Sequence, residues 1–493
     1  MAGPSKEGNL AETLNFPAGA LARGLEGGKV KVTVVGLGRI GLPTAALFAE
    51  SGARVTGFDV DPTVVDETNA GRCKFVDEPG LGDLVKKHAV GRTLRATTSP
   101  DDAFDSDFIV ICVPTPVDQG KTPDYSAVRR AAEEIGVRLK RGTVVVTEST
   151  VGPGVVEGMI GPILESKSGL EATSEFGLAA CPERSDPGKI LKDMRSLPRI
   201  IGATGPGCAA AVVELYRRAL GVEPIRVSSP RTANAVKLTE NIFRDVNIAL
   251  SNEFAILFEG LGIDAMEVID ACATKYNFVP HYPGIGVGGP CLPSNSYYMI
   301  AEAMKDGSIP YLVRMAREIN DRMPEHVVEL TSQALNAVGK TVKGSKVTVL
   351  GVAYKPDVRD VQLTPVEKAI RRLTAMGAKL SVYDPMYRGE TVMGMKVAES
   401  ALEAAAGADC LLLATAHTEF KKLDLKALSK AMNKAAAFVD GRDAVVPSSA
   451  TSAGFFYCGV GRSLVPPERR EPTEAPNDTA GAGVRRRAPW PRP

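Results

Sequence analysis

Short apolar runs punctuate the first half of the chain, and each is continuous instead of alternating in polarity. "KVTVVGLG" (31–38), "GARVTGFD" (52–59) and "SDFIVICVPT" (106–115) are the clearest. Runs of that kind mark strands buried on both faces of a parallel sheet. The same series returns far downstream as "KVTVLGVA" (346–353), "GAKLSVYD" (377–384) and "ADCLLLATAH" (408–417). In both places the first strand runs into glycine and the second ends in aspartate. The echo predicts two α/β domains, each a doubly wound parallel sheet with helices between strands. Between them the pattern changes. Residues 232–261 contain no proline and are apolar at helical spacing, which predicts one long helix, with further helices to about Val338.

The expected organisation is a flexible extension over residues 1–29, an α/β domain over 30–227, a helical middle over 228–338, a second α/β domain over 339–463 and a disordered tail over 464–493. Proline, arginine, alanine and glycine dominate the tail, which offers no face to pack. A long, largely apolar helix between two domains needs a cover, so a homodimer or higher homo-oligomer through the middle is expected.

Composition narrows the chemistry. The chain has 493 residues, 44% hydrophobic and 24% charged, with a formal net charge of +1. No basic field is available to attract nucleic acid. The longest apolar run, "CLLLATA" (410–416), is too short to cross a membrane. Eight cysteines lie scattered without a CxxC, and there are four histidines. A reducing cytoplasm is therefore expected, with neither structural zinc nor metal catalysis.

"GLGRIG" places Gly36, Gly38 and Gly41 between an apolar strand and an apolar helix, with Leu37, Arg39 and Ile40 between them. Glycines there allow a tight turn and let a pyrophosphate sit on the helix N-terminus. Asp59 ends the next strand about 18 residues on, where a carboxylate accepts hydrogen bonds from a ribose and repels a 2′-phosphate. This predicts NAD, with Pro114 and Thr115 of "CVPTP" turning at the same edge. Asn234, Lys237, Asn241 and Asp245 share one face of the long helix, flanked by apolar faces, so the stripe is expected to line a cleft. A lysine and an asparagine one turn apart can hold an alcohol, an oxyanion or a water. Glu183 in "CPERSDPG" follows a strand, as do Ser149 and Thr150 in "ESTVGPG". Cys291 in "GVGGPCLPSN" reads, from that stretch alone, first as a buried thiol in a glycine turn, with a nucleophile as the alternative.

The series GLGRIG, CVPTP, STVGPG, PERSDPG, "VKLTENIFRDVNIALSNEFA", "YPGIGVGGPC" and "GVAYKPDVRD" resembles the UDP-glucose/GDP-mannose dehydrogenase superfamily over roughly residues 30 to 460. The resemblance implies two Rossmann-like domains, NAD as cofactor and a UDP-sugar substrate. It implies oxidation of the sugar's C6 alcohol to a carboxylate in two hydride transfers. Cys291 would be the nucleophile that holds the intermediate as thiohemiacetal and then thioester. Lys237 and Asn241 would steady the C6 oxygen and the hydrolytic water, with Glu183 handling protons or positioning water and Thr150 assisting. Gly36, Leu37, Gly38, Arg39, Ile40, Gly41, Asp59, Pro114, Thr115 and Thr150 would face NAD. Glu183, Arg184, Lys237, Asn241, Tyr282, Gly284, Gly288, Lys355 and Arg442 would face the nucleotide sugar.

Two positions depart from the family pattern. Asn295 stands where an aspartate is usual, and Gln362 where an arginine is usual. The segment 274–291 and "PERSDPGK" look closest to enzymes of UDP-N-acetylhexosamines, with UDP-glucose the alternative substrate. A β-hydroxyacid dehydrogenase shares the glycine-rich domain and the Lys/Asn pair, but needs neither the cysteine nor a second α/β domain. A non-catalytic nucleotide-sugar binder is the remaining alternative.

Overall fold

The computed structural model describes residues 14–118 and 120–467. Most of the tail predicted to be disordered lies outside them, as does the first part of the extension.

Eight strands form the first sheet: β1 (Lys31–Val35), β2 (Arg54–Phe58), β3 (Leu94–Thr97), β4 (Phe108–Ile111), β5 (Val144–Thr147), β6 (Gly177–Ala180), β7 (Ile200–Ala203) and β8 (Ile225–Val227). Their order is β3-β2-β1-β4-β5-β6-β7-β8, parallel throughout except for the antiparallel β6/β7 pair. Strands β4, β5 and β6 are buried at every position, which explains their unbroken apolar runs. The order reverses between β1 and β4, so the crevice beyond their carboxyl ends is the ligand side. Both the GLGRIG turn and CVPTP open there.

The second sheet contains β9 (Lys346–Leu350) and β10 (Lys379–Tyr383); a small antiparallel ribbon, β11 (Thr391–Val392) with β12 (Met395–Lys396), stands apart. The sheet continues with β13 (Cys410–Leu413), β14 (Ala437–Asp440), β15 (Phe456–Gly459) and β16 (Arg462–Val465). Its order is β10-β9-β13-β14-β15-β16, with β15/β16 antiparallel, and it too reverses beside its first strand. The internal echo is thus a repeated topology. Residues 464 and 465, assigned to the tail by composition, belong to this last strand.

The extension also needs correcting. Residues Ala18–Glu26 form a helix, α1, with Leu21 and Leu25 buried in the same core as the first sheet. The missing side chain of Gly24 makes room for Phe16 and Val30. The Gly/Ala-rich composition hid an apolar face of only a few residues.

The helices of the middle follow from their caps. The long helix, α2, runs Pro230–Leu261. Ser229 caps it by accepting from the Thr232 amide, Pro230 occupies its first turn, and Gly262 ends it at φ +71°. Helix α3 (Leu292–Lys305) starts at Cys291, and α4 (Tyr311–Ala337) packs along α2. No described helix is long and apolar enough to cross a membrane.

The polar stripe on α2 divides. Asp245 does not line a cleft: it is fully buried, pairing with Arg317 of α4 at 2.6 Å and accepting from Asn320 (2.8 Å) and Ser296 (3.1 Å). Burial raises its carboxyl pKa and Arg317 offsets part of that rise. The network runs on through Asn320 and Asn252 to the Gly284 amide at 2.9 Å, and so fixes the loop leading to Cys291. Arg317→Met should cost about 3–5 kcal/mol, because the Asp245 carboxylate is then buried without its counter-charge. Thermal unfolding of Arg317→Met and of Arg317→Met with Asp245→Asn checks this: the double variant recovers part of the loss.

Candidate active site

The glycine turn has the shape that a dinucleotide requires. Gly36 sits at φ +90°, with its α-carbon packed on the backbone of Cys112 and Val113 after β4. A Cβ on Gly41 would lie 1.8 Å from the Gly36 carbonyl oxygen, whereas one on Gly38 would point into open space. That open space, ahead of the following helix, is where a pyrophosphate can approach backbone N–H groups. Asp59 is half-buried and accepts from the Leu37 amide at 2.8 Å, holding the turn at the edge where a ribose would lie. Thr115 donates to the Thr150 carbonyl at 2.8 Å, which joins the CVPTP turn to the STVGPG loop. Pro114 beside it is exposed. These residues fit NAD.

Arg39 behaves differently from the expectation. Its Nη1 pairs with Asp77 (2.9 Å) and Glu78 (3.1 Å), and its guanidinium lies over the Phe75 ring.

Cys291 is solvent-exposed and forms the N-cap of α3, a 14-residue helix whose N-terminus favours a thiolate. Burial by the surrounding walls pushes its thiol pKa up; Lys237 is the first of the charges that pull it back, helped by Lys355, while Asp186 and Asp360 oppose them. The structure therefore brings Cys291, Lys237 and Lys355 into one electrostatic neighbourhood from three separate segments. Two turns along α3, the Tyr298 hydroxyl donates to the Thr115 carbonyl, tying the cysteine helix to the cofactor edge. Behind Cys291 the loop packs on the second α/β domain. A Cβ on Gly288 would fall 2.7 Å from Pro365, and the Gly289 amide donates to the Gln362 carbonyl at 3.1 Å.

Helices α2 and α3 bury several polar groups without a protein partner among the described residues. Lys237 is buried, and no carboxylate among the described residues pairs with it. Asn234 has both amide atoms buried and unpartnered, as are the Nδ2 atoms of Asn241 and Asn295. Leaving such a group unpaired costs about 1–3 kcal/mol. The three residues lie on two packed helices, α2 and α3.

Glu183 does not fit the proton-handling role. It is buried against Arg199, and Ser185 donates to it from both amide (2.6 Å) and hydroxyl (2.5 Å). Burial alone would raise its pKa, but Arg199 and these donors outweigh that and bring it to about 2. A carboxylate so held stays ionised and shapes its loop. Arg184 is similarly engaged, donating to Glu240 of α2 at 3.0 Å and to the Pro198 carbonyl at 2.6 Å. The Tyr282 hydroxyl donates to Asp270 at 2.7 Å, leaving its ring against the second core.

Among the described residues the Arg442 guanidinium donates only to carbonyls, those of Gly286 (3.0 Å) and Ala414 (3.3 Å), and burial lowers its pKa to about 10. A Cβ on Gly284 would collide with it at 2.8 Å. Lys355 lies 3.5 Å from Asp186, which bridges the Glu183 loop to the second sheet.

Three residues that matter here were not singled out from the sequence. Arg199 is 2% exposed and joins Glu183 to Glu148, which it reaches at 3.0 Å. Glu78 anchors the far end of the Glu183 loop, accepting from the Gly188 (2.7 Å) and Ile190 (3.0 Å) amides. Glu148 was present in a quoted motif, and Arg199 directly precedes an apolar strand, a place where a charge usually meets solvent.

Among the described residues no three or more His, Cys, Asp or Glu side chains cluster as metal ligands would. Comparison with known proteins agrees with this architecture in all three parts. Models of the UDP-glucose/GDP-mannose dehydrogenase family match residues 30–220 (NAD binding domain), 231–322 (central domain) and 348–447 (UDP binding domain). UDP-N-acetyl-D-mannosamine dehydrogenase of Pyrococcus horikoshii is 36% identical over 436 residues, 88% of this chain and 100% of that one. UDP-N-acetyl-D-glucosamine 6-dehydrogenase of Pseudomonas aeruginosa is 34% identical over 402 residues, 81% of this chain and 94% of that one. The solved structure of the Pyrococcus horikoshii UDP-D-ManNAc dehydrogenase matches with a TM-score of 0.82 at 35% identity, covering 88% of this chain and 99% of the other. By sequence and by fold, the chain belongs to the UDP-glucose/GDP-mannose dehydrogenase family of NAD-dependent nucleotide-sugar dehydrogenases.

Proposed function

We propose that the chain oxidises the C6 alcohol of a UDP-N-acetylhexosamine, N-acetylmannosamine or N-acetylglucosamine, to the uronate through a covalent adduct on Cys291. The observation that carries this reading is Cys291 at the N-terminus of α3, with Lys237 the leading charge acting on its thiol and partnerless amides on the same two helices. The choice of sugar rests on the two relatives described above, which act on UDP-N-acetylhexosamines.

Bound NAD supplies the hydride acceptor, once for each of the two oxidations. Gly36, Gly38, Gly41, Asp59, Thr115 and Thr150 would hold it. Arg442, whose guanidinium pairs with no carboxylate among the described residues, suits the diphosphate of the sugar nucleotide, and Lys355 belongs to the same domain. Lys237 and Asn241 present a cation and an amide to the oxygen on C6, stabilising charge as the alcohol becomes an aldehyde. The Cys291 thiolate adds to that aldehyde carbon, giving a thiohemiacetal. Loss of the second hydride leaves a thioester, and water releases the acid and restores the thiol. Asn295 and Asn241 can orient that water, but an amide cannot take its proton.

The same reading includes a homodimer. Phe243, Leu250, Phe254, Leu257 and Leu261 lie exposed along α2 at spacings of three, four and seven residues, an apolar stripe that a second copy would cover. Eight unpaired thiols suit a reducing, cytoplasmic setting.

Purified protein incubated with NAD and UDP-N-acetylmannosamine or UDP-N-acetylglucosamine should form two NADH per sugar consumed, and Cys291→Ala should release no acid. A ratio of one in the unaltered protein would sink the four-electron mechanism. The thiol itself can be titrated. Alkylation of Cys291 by iodoacetamide should accelerate as pH rises through its elevated pKa. Lys237→Met removes a positive charge that favours the thiolate, so its profile should move to higher pH and its rate at pH 8 should fall severalfold. On sizing with light scattering, Phe254→Glu with Leu257→Glu should shift a dimer toward monomer.

A further inference from the structure

Glu78 sits in "FVDEPGL" (75–81), outside every motif that composes the site, and is 3% exposed. One of its carboxylate oxygens accepts from Arg39 (3.1 Å) and from the Gly188 amide (2.7 Å); the other accepts from the Ile190 amide (3.0 Å). Arg39 belongs to the glycine turn that receives the cofactor. Gly188 and Ile190 end the loop whose other members are Glu183, pinned by Arg199, and Asp186, 3.5 Å from Lys355 on the UDP binding domain. A single buried carboxylate is thus bonded at once to the cofactor turn and to the loop that leans on the nucleotide domain.

Arg39 has spare capacity. Only its Nη1 is bonded among the described residues, so Nε and Nη2 remain for an anion at the turn. A diphosphate drawing on those donors changes how strongly Arg39 holds Glu78, and hence how Glu78 holds the two loop amides. We propose that Glu78 is a positioning residue that couples the two ligands: cofactor at the glycine turn sets the 183–190 loop through Arg39 and Glu78, and with it the affinity for the UDP portion. This rests on the reading of the second ligand as a UDP-sugar.

UDP, which carries no alcohol to oxidise at C6, allows an equilibrium test on the full chain. Calorimetric titration of UDP with and without saturating NAD should give affinities that differ by about fivefold or more in the unaltered protein. Reciprocity requires UDP to change NAD affinity by the same factor. In Glu78→Gln an amide N–H₂ must face a loop N–H, so one anchor is lost and the ratio should collapse toward one while UDP still binds. Arg39→Gln breaks the same link from its half-exposed end and should do likewise if Glu78→Gln does not fold. A ratio near one in the unaltered protein overturns the inference. So does a ratio unchanged in the variants, or UDP binding that weakens equally with and without NAD, which is what loss of structure alone would produce. No UDP binding by the unaltered protein would sink the UDP-sugar reading itself, and the coupling with it.

Discussion

The guanidinium of Arg199 holds the two halves of the site together. It is fully buried and bridges Glu148 and Glu183 while donating to the Cys181 carbonyl at 2.9 Å. Glu148 in turn accepts from Tyr216 (2.7 Å), Thr44 (3.1 Å) and the Cys112 thiol (3.3 Å). Thr44 lies on the helix that follows the glycine turn, and Cys112 opens the CVPTP turn. One cation therefore sits beneath the cofactor turn, the β4 edge, the STVGPG loop and the sugar-side loop together. Burying three charges is costly, and replacing such a triad by apolar groups often leaves stability intact. Its value here is geometric: it fixes loops that have no regular structure of their own.

The two sheets repeat a topology and use it differently. After β1, Asp59 accepts from the Leu37 amide and remains half-buried beside an open turn. After β9, Asp384 makes the equivalent contact with Val352 (2.7 Å) and Ala353 (3.2 Å), but it is fully buried and also holds His417 at 3.1 Å. Gly351 is closed off as well, because a Cβ there would meet Thr415 at 2.5 Å. Protein side chains fill the second crevice at the place where the first leaves Asp59 half-exposed. A repeat of the strand pattern thus does not imply a repeat of the dinucleotide site.

The two departures from the family pattern have unequal consequences. Gln362 is exposed and contributes its backbone carbonyl to the Gly289 amide, a contact that does not depend on its side chain. Asn295 is 2% exposed on the first turn of α3, with an unpartnered Nδ2. It lies on the cysteine helix, where an amide carries no charge and cannot act as a base.

Periodicity alone determined a great deal. Uninterrupted apolar runs require strands covered on both faces, and the proline-free stretch 232–261 with helical apolar spacing requires a single long helix, so the two α/β units and the helical middle were legible. The glycine turn and the carboxylate of Asp59 that holds it were legible too, because their spacing is a local motif, whereas the roles given to Lys237, Asn241 and Cys291 rest on the family resemblance. Tertiary structure decided the rest. Asp245 shares a helix face with Lys237, yet one pairs with Arg317 and the other is buried without a carboxylate partner among the described residues; periodicity names a face, while what packs against it comes from another part of the chain. Glu183 and Arg184 read as ligand contacts until Arg199 and Glu240 arrive from 16 and 56 residues away. Glu78 reaches its loop across 110 residues. Burial and charge pairing at that range depend on how the domains fold together, and no local pattern encodes them.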